Sequence, residues 1–279
     1  MRSVNSKVYT KKYYLTDCSG YKEFKESNGR KLNTIFLDLI KYIEVNSSTK
    51  VLDIGCGRGE MVFYCASRGA TAIGIDYAEA AIKLANNTRS KQPKIIQDRA
   101  KFIKMDAKIL KFDKSSFDLI IMTGVVEHLY PEELDVVFHQ IRRVLKPAGK
   151  LIINTAPNRI FNDIAYKYYC YPASTLLTSF WNKLTGSKYP NIAMPHDIRT
   201  ESHQIMHINE PTFFSLYRLY KKFNFKGGIF STNITVRKQI LSTRDILFNL
   251  LVFLHPFSKK FPLNIIFGSD FISVLTKNK

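Results

Sequence analysis

Apolar positions along the middle of this chain fall into short runs that end in acids or polar residues and are separated by helix-like stretches. Val51–Ile54, Ala72–Asp76, Phe102–Asp106, Phe117–Thr123 and Lys150–Asn154 read as five strands. Between them the pattern is that of helices. Met61–Arg68 ends at Gly69, a good helix stop, and Ala78–Asn87 is alanine-rich. Pro131 opens a helix expected to reach Leu145, and Pro147-Ala-Gly149 closes it. Ahead of the first strand, Leu32, Ile35, Phe36, Leu39, Ile40 and Ile43 recur at helical spacing and predict an amphipathic helix against a sheet. The aromatic stretch Tyr13–Tyr21 before it reads as irregular, and a further helix is expected over Pro211–Phe223.

The first strand runs into Asp53-Ile-Gly55-Cys-Gly57-Arg-Gly59, with glycines at alternate positions. Such glycines let the backbone turn sharply and leave room for a ligand beside a helix start. Alone, the stretch also suits a plain strand-to-helix turn. Its spacing is not the Gly-x-Gly-x-x-Gly of dinucleotide sites, and Asp53 at the strand end suits a cationic ligand better than a pyrophosphate. Asp76 ends the next strand about twenty residues on, where a nucleotide site places a carboxylate for ribose hydroxyls. Asp106 follows the third. Three acids on successive strands after a glycine-rich turn predict a ligand-binding edge.

These stretches resemble the class I S-adenosylmethionine-dependent methyltransferases, and more narrowly the branch containing the ubiquinone-pathway O-methyltransferases. The resemblance is carried by VLDIGCGRGE (51–60), GIDYAEAAI (74–82), MDAKIL (105–110), FDLIIMTGVVEHL (117–129) and IRRVLKPAGKLIINTAPN (141–158). It implies an α/β, Rossmann-like seven-stranded mostly parallel sheet flanked by helices, with an inserted helical cap after strand 5. Lys226–Val236 and Gly268–Thr276 would supply the last two strands, the latter antiparallel. The cofactor implied is S-adenosyl-L-methionine, with S-adenosyl-L-homocysteine as product. Asp53 and Gly55 would sit at the methionine end, together with Cys56 and Gly57 of the same loop. Asp76 would hold the ribose and Tyr77 would lie against the adenine. Asp106 and Ala107 would bind the adenine edge, while Thr123 and Gly124 would place backbone groups near the methionine part. The N-terminal region would fold over the pocket, making Tyr13, Tyr14 and Tyr21 candidate lid residues, with Tyr14 and Tyr21 in the substrate pocket.

Methyl transfer from a sulfonium requires chiefly a positioned nucleophile and exclusion of water. A hydroxyl acceptor also benefits from a base. His128, just past the fourth strand, is the leading candidate, with Glu127 as its neighbour, though the resemblance also gives Glu127 a role in the fold. His196, His203 and His207 are interleaved with Asp197 and Glu201, but their spacing matches no strong metal motif. His203 and His207 are taken as substrate-pocket candidates, and no metal is expected.

The 279 residues organise into a lid segment (1–45), a cofactor-binding core (46–158), a substrate-cap insertion (159–208) and closing elements of the same domain (209–279). The insertion holds Trp181, several tyrosines and three prolines, well suited to shaping a substrate pocket. Cys18, Cys56, Cys65 and Cys170 lack metal or disulfide-framework spacing, and the polar N-terminus lacks a secretory signal. A cytoplasmic location is therefore expected. Ile246–Phe257 is the most apolar run, too short to span a bilayer, and Lys259 and Lys260 follow it. It reads either as a buried cap or as a peripheral membrane contact over 246–260.

Net charge is +19, with ten Lys/Arg against three acids between Lys83 and Lys114. Such a surface attracts nucleic acid, anionic lipid or acidic substrates. No RNA-binding module is recognisable, however, and the Asn-Pro-Pro-Tyr signature of many nucleic-acid amino-methyltransferases is absent. The reading is a methyltransferase acting at oxygen of a small-molecule, lipid-linked or glycan acceptor. The alternatives are an RNA or protein methyltransferase using the basic surface, or a catalytically inactive cofactor-binding partner subunit.

Overall fold

The computed structural model describes residues 3–199, 201–236 and 242–278, with the side chains of 201–203 outside that description. Three short helices precede the sheet: α1 (Lys11–Thr16), α2 (Tyr21–Ser27) and α3 (Thr34–Leu39). Two have side-chain caps: Tyr13 donates its N–H to Thr10 Oγ1 at 3.3 Å, and Phe36 to Asn33 Oδ1 at 2.9 Å. The stretch 13–21, expected to be irregular, is helical over 13–16, where a cap-forming Thr precedes it, and irregular over 17–20 until Gly20, at φ 79°, starts the next helix. The helix expected over 32–43 is shorter, giving way to a 3₁₀ turn at Ile40–Tyr42.

The core alternates as β1 (Lys50–Ile54), α4 (Glu60–Ser67), β2 (Thr71–Asp76), α5 (Glu79–Arg89), α6 (Lys94–Arg99), β3 (Ala100–Lys104), β4 (Phe117–Thr123), α7 (Pro131–Val144) and β5 (Leu145–Thr155). A π-helix (Phe161–Cys170) then runs directly into α8 (Tyr171–Thr185), followed by α9 (Glu201–Met206) and α10 (Phe213–Lys222). The chain closes with β6 (Phe225–Ser231), α11 (Thr243–Leu251), α12 (Leu263–Phe267) and β7 (Phe271–Lys277). The strands form one seven-stranded sheet in the order β3-β2-β1-β4-β5-β7-β6. Only β7 runs antiparallel to its neighbours, as expected.

Strand residues alternate between two cores, as the pleat requires. Leu52, Ile120, Met122, Leu151 and Ile153 face α7 and α10, while Val51, Leu119, Ile121 and Ile152 face α3 and α4. Three boundaries differ from the sequence reading. β3 ends at Lys104, so Asp106 lies in the following turn, where its Oδ1 accepts from the Lys108 N–H at 2.9 Å. β5 starts at Leu145, and Lys146–Gly149 bulge out between the pairs Phe117↔Leu145 and Leu119↔Lys150. β6 ends at Ser231, and a turn follows that is tied to Asp270 by Thr232 and Thr235.

A third of the run 246–257 is buried. Phe248, Val252 and Phe253 pack with Phe161, Ala165, Tyr166 and Cys170 of the π-helix, and Tyr169 Oη donates to the Leu251 carbonyl at 2.8 Å. No helix among the described residues is long and apolar enough to cross a membrane.

Candidate active site

Strand order reverses between β1 and β4, and this opens a crevice at the carboxyl ends of the parallel strands. A cavity of about 940 Å³ lies there, lined by the loops after β1, β2, β3, β4 and β5, by the N-terminal segment and by the cap. Its floor is the glycine loop. Gly55 sits at φ 71°, and a Cβ there would come within 2.4 Å of the Val125 side chain, so only glycine fits. Gly57, at φ 49°, faces the Tyr14 ring. The loop is fastened to β2: Gly57 N–H donates to Asp76 Oδ2 at 3.1 Å, and Ala78 N–H to Oδ1 at 2.9 Å.

Electrostatics at this end of the cavity are strongly anionic. Asp53, Glu60 and Asp76 are all buried, and Arg58 Nε donates to Glu60 at 2.8 Å. Burial, with the charges of Glu60 and Asp76 beside it, pushes the Asp53 carboxyl well above its ordinary range. Burial also raises Asp76 to about 6, against the lowering effect of its hydrogen bonds to Ala78, Gly57 and Tyr14. Three buried acids with a single guanidinium make a site poised for a cation. Thr123 Oγ1 is buried at the end of β4 without a hydrogen-bond partner, a polar atom aimed at the same space.

At the other end of the cavity, the 3₁₀ turn Val126–His128 presents the imidazole of His128. Its Nδ1 lies 3.0 Å from Tyr9 Oη and 3.1 Å from the Met206 carbonyl of α9. A carbonyl can only accept, so this contact requires the proton on Nδ1, shared with the phenol oxygen, and in the neutral ring the lone pair is then on Nε2. The His207 ring packs edge-on at 4.8 Å between centroids. Glu127 lies beside it and is tied to the fold: its Oε2 accepts from Thr155 Oγ1 at 2.8 Å and its backbone carbonyl from Asn209 N–H at 3.1 Å. Burial pushes its carboxyl up to about 7.

Glu127, His128 and His207 offer ligand atoms within 4.8 Å of one another, a carboxylate and two imidazoles of the kind that bind zinc or iron. Two of these groups already serve the fold: Glu127 joins β5 to the loop between α9 and α10, and His128 Nδ1 holds Tyr9 and α9.

The methyltransferase-domain family matches residues 52–153. Over 202 residues the chain is 28% identical to a phosphoethanolamine N-methyltransferase of Plasmodium falciparum, covering 68% of this chain and 74% of that one. Over 130 residues it is 34% identical to a ubiquinone biosynthesis O-methyltransferase of Coxiella burnetii, covering 46% and 53%. The fold matches an S-adenosylmethionine-dependent methyltransferase of Methanosarcina mazei at TM-score 0.53 and 21% identity, over 88% of this chain and 98% of that one. It also matches a geranyl diphosphate C-methyltransferase of Streptomyces coelicolor, solved with Mg2+, geranyl diphosphate and S-adenosyl-L-homocysteine, at TM-score 0.52 and 14% identity, over 96% and 87%.

Residues 52–153 form a methyltransferase domain of the class I S-adenosylmethionine-dependent kind. The chain spans about half the length of the ubiquinone-pathway relatives it matches. S-adenosylmethionine is the cofactor of this family, and its cationic sulfonium and amino groups suit the excess of buried carboxylates in the methyltransferase cavity.

Of the residues singled out in the sequence, Asp53, Gly55, Cys56, Gly57, Asp76, Tyr77, Asp106, Ala107, Thr123, Gly124, Tyr14, His128 and His207 all line the cavity. Tyr21 does not: it begins α2, where the cap geometry turns the chain away. His203 lies on α9 with its side chain outside the described residues. His196 is exposed and lies 3.2 Å from the Asp197 carboxylate.

Sequence reading missed Tyr9, which is 119 residues from the histidine it touches. It also passed over Arg58, whose guanidinium donates to the carbonyls of Tyr14 (3.0 Å) and Ser19 (2.6 Å), pinning the N-terminal segment across the glycine loop. A buried arginine inside a glycine motif was the one local signal available.

Proposed function

We propose that this methyltransferase alkylates a hydroxyl oxygen on an apolar, small or lipid-linked acceptor, with His128 as general base. The observation that carries the reading is the His128 imidazole on the cavity wall, held at Nδ1 by the Met206 carbonyl and Tyr9. An oxygen nucleophile needs its proton removed as the bond forms, and an oriented imidazole meets that need.

S-adenosylmethionine supplies an activated methyl group. The protein's own tasks are then to bind, align and keep water out. Asp53 and the buried acids around it would neutralise the cofactor's cationic end. Asp76 would accept from the ribose hydroxyls, Tyr77 would cover the adenine, and Asp106 and Ala107 would meet its edge. Thr123 and Gly124 would border the methionine part. Tyr9, Tyr13 and Tyr14 close the top: burial raises all three phenols, so they stay protonated donors.

The acceptor end favours a neutral, apolar molecule. Tyr166, Ile192, Ile198, Val236 and Phe253 line it. The cations on the cavity wall are already paired: Arg58 with Glu60, Lys108 with Glu133, and Arg199 with Glu210 and Asp163. Little positive charge is left to grip a phosphate. The basic stretch 83–114 is likewise partly committed within the fold, with Lys83 and Lys104 on Glu79, Lys94 on Asp98, and Arg89 and Arg99 on backbone carbonyls. This speaks against a nucleic-acid face.

The test is transfer of a labelled methyl group to a panel of phenols, prenylated or lipid-linked alcohols, glycans and primary amines. Label on oxygen of an apolar acceptor, lost in His128→Ala while cofactor binding persists, is the expected result. Transfer only to amines, or undiminished turnover without His128, would refute it.

A further inference from the structure

The cap wears its apolar residues on the outside. Thirteen of the twenty-two large hydrophobic side chains exposed among the described residues fall within 164–184 and 246–266. Those two segments make up less than a sixth of the chain. Along α8, Leu176, Phe180 and Leu184 are 74%, 64% and 69% exposed, while Ser174 and Thr178 are buried. The spacing of four places these three in one row along the helix surface. Exposed Tyr168 and Ile164, in the π-helix, extend the series toward the N-terminus. This is the reverse of a helix built to meet water, which buries its apolar stripe. On the C-terminal segment Phe257 and Phe261 are 55% and 77% exposed. The two segments belong to one body, joined by the Phe161–Tyr166–Phe248–Val252 core.

Charge along the two exposed segments is one-sided, and the acids that flank them, Asp163 and Asp245, are engaged by Arg199 and Ser242. Residues 164–190 contain Lys167, Lys183 and Lys188 and no acid, and residues 246–269 contain Lys259 and Lys260 and no acid. Exposed apolar side chains among lysines, with tyrosines beside them, have the chemistry of a surface that lies in a lipid headgroup layer.

We propose that this outer face of the cap docks on a bilayer carrying anionic lipid, with Leu176, Phe180, Leu184 and Phe261 entering the acyl boundary and Lys183, Lys188 and Lys260 meeting the headgroups. Pairing with a second copy through the same face is disfavoured, because it would set lysines against lysines with no acid to answer them. The inference rests on the reading of a lipid-linked acceptor. Tyr166 and Phe253, from the same body, line the cavity, so docking brings the acceptor end of the site to the membrane.

The experiment is co-sedimentation of the full chain with phosphatidylcholine vesicles, with and without phosphatidylglycerol. It uses the wild type, Leu176→Ser/Phe180→Ser/Leu184→Ser, and Lys183→Glu/Lys188→Glu/Lys260→Glu. All six positions are exposed, and cofactor titration of each variant checks the fold. Wild type is expected to bind phosphatidylglycerol vesicles and to release at high salt. Each triple variant should weaken binding on the order of a hundredfold while keeping wild-type cofactor affinity. Three results would overturn the proposal: no vesicle binding by wild type, equal binding by the variants, or a dimer in sedimentation velocity that the serine variant abolishes. Turnover plays no part in this assay, so failure of cofactor binding would count against the enzyme reading alone.

Discussion

Asp76→Asn should make the protein more stable and a worse binder of its cofactor at the same time. In the free protein the Asp76 carboxyl is buried and raised from 3.8 to about 6. A folded-state value above the unfolded one means that folding is favoured when the group is protonated. That advantage is complete below pH 3.8 and is lost as pH rises through about 6. At about 1.4 kcal/mol per tenfold change in proton affinity, keeping the carboxylate ionised at pH 7.5 costs about 3 kcal/mol. Asparagine avoids that cost but offers one acceptor oxygen where the carboxylate has two. Either the Gly57 or the Ala78 N–H then loses its partner, at about 1–1.5 kcal/mol. The net gain is about 1–2 kcal/mol, a rise of roughly 2–8 °C in melting temperature for a domain of this size.

The ligand sees the opposite sign. Hydrogen bonds from ribose hydroxyls to a carboxylate are worth about 1.5–3 kcal/mol each. Losing one acceptor should weaken S-adenosylmethionine by roughly 10–150-fold. In the wild type the same argument predicts constant affinity above pH 7 and a decline approaching tenfold per pH unit below about 6, as Asp76 protonates. Calorimetric titration and thermal melts of both proteins between pH 5 and 8 measure both effects. A variant that melts lower than wild type and binds the cofactor within about threefold of it would show that Asp76 serves the glycine loop and not the ribose.

Replacing His128 by Ala should lower kcat by about 10²–10⁴ while leaving cofactor affinity within about threefold, by stopped assays and titration. Tyr9→Phe removes the phenol oxygen from His128 Nδ1 but keeps the ring in place, so kcat should fall only about tenfold, with KM for the acceptor little changed. Arg58→Ala leaves Glu60 buried without its counter-ion and frees the carbonyls of Tyr14 and Ser19. Urea unfolding should show a loss of about 3–5 kcal/mol, with proteolysis appearing between residues 14 and 19.

What the sequence made legible was local. A strand that runs through Asp53 to Ile54 and turns at Gly55 carries its own reason for the turn, since the φ of 71° at Gly55 lies in the region that favours glycine. Pro131 sits at the first helical position, as a proline should. Asp106 was placed at a strand end because Met105 continues the apolar run, whereas pairing with β2 stops at Lys104. The bulge at Lys146–Gly149 read as a loop because Pro147 and Gly149 are turn residues, yet the strand resumes its ladder on both sides. Tyr9 on His128, and the Met206 carbonyl that orients the same ring, join segments 119 and 78 residues apart, and no spacing rule reaches so far. The outward apolar row of α8 was hidden for a related reason: periodicity reports a helical face but not which side meets the core.

This division between local and distant contacts coincides with a division of labour in the cavity. The glycine loop, Asp76, Thr123 and Gly124 all come from residues 52–153, the stretch that matches the methyltransferase-domain family. The parts proposed to face the acceptor come from outside it: Tyr9 from the N-terminal segment, Met206 and His207 from α9 and the loop after it, Tyr166 and Phe253 from the cap body. This chain is similar in sequence to relatives named for N- and O-methyl transfer and shares its fold with a C-methyltransferase, so likeness of this kind says what donates the methyl group and not what receives it. Acceptor choice in this chain must therefore be sought in how the N-terminal segment and the cap close on His128. Grafting changes into those segments should alter which acceptor is used while leaving cofactor affinity as it was.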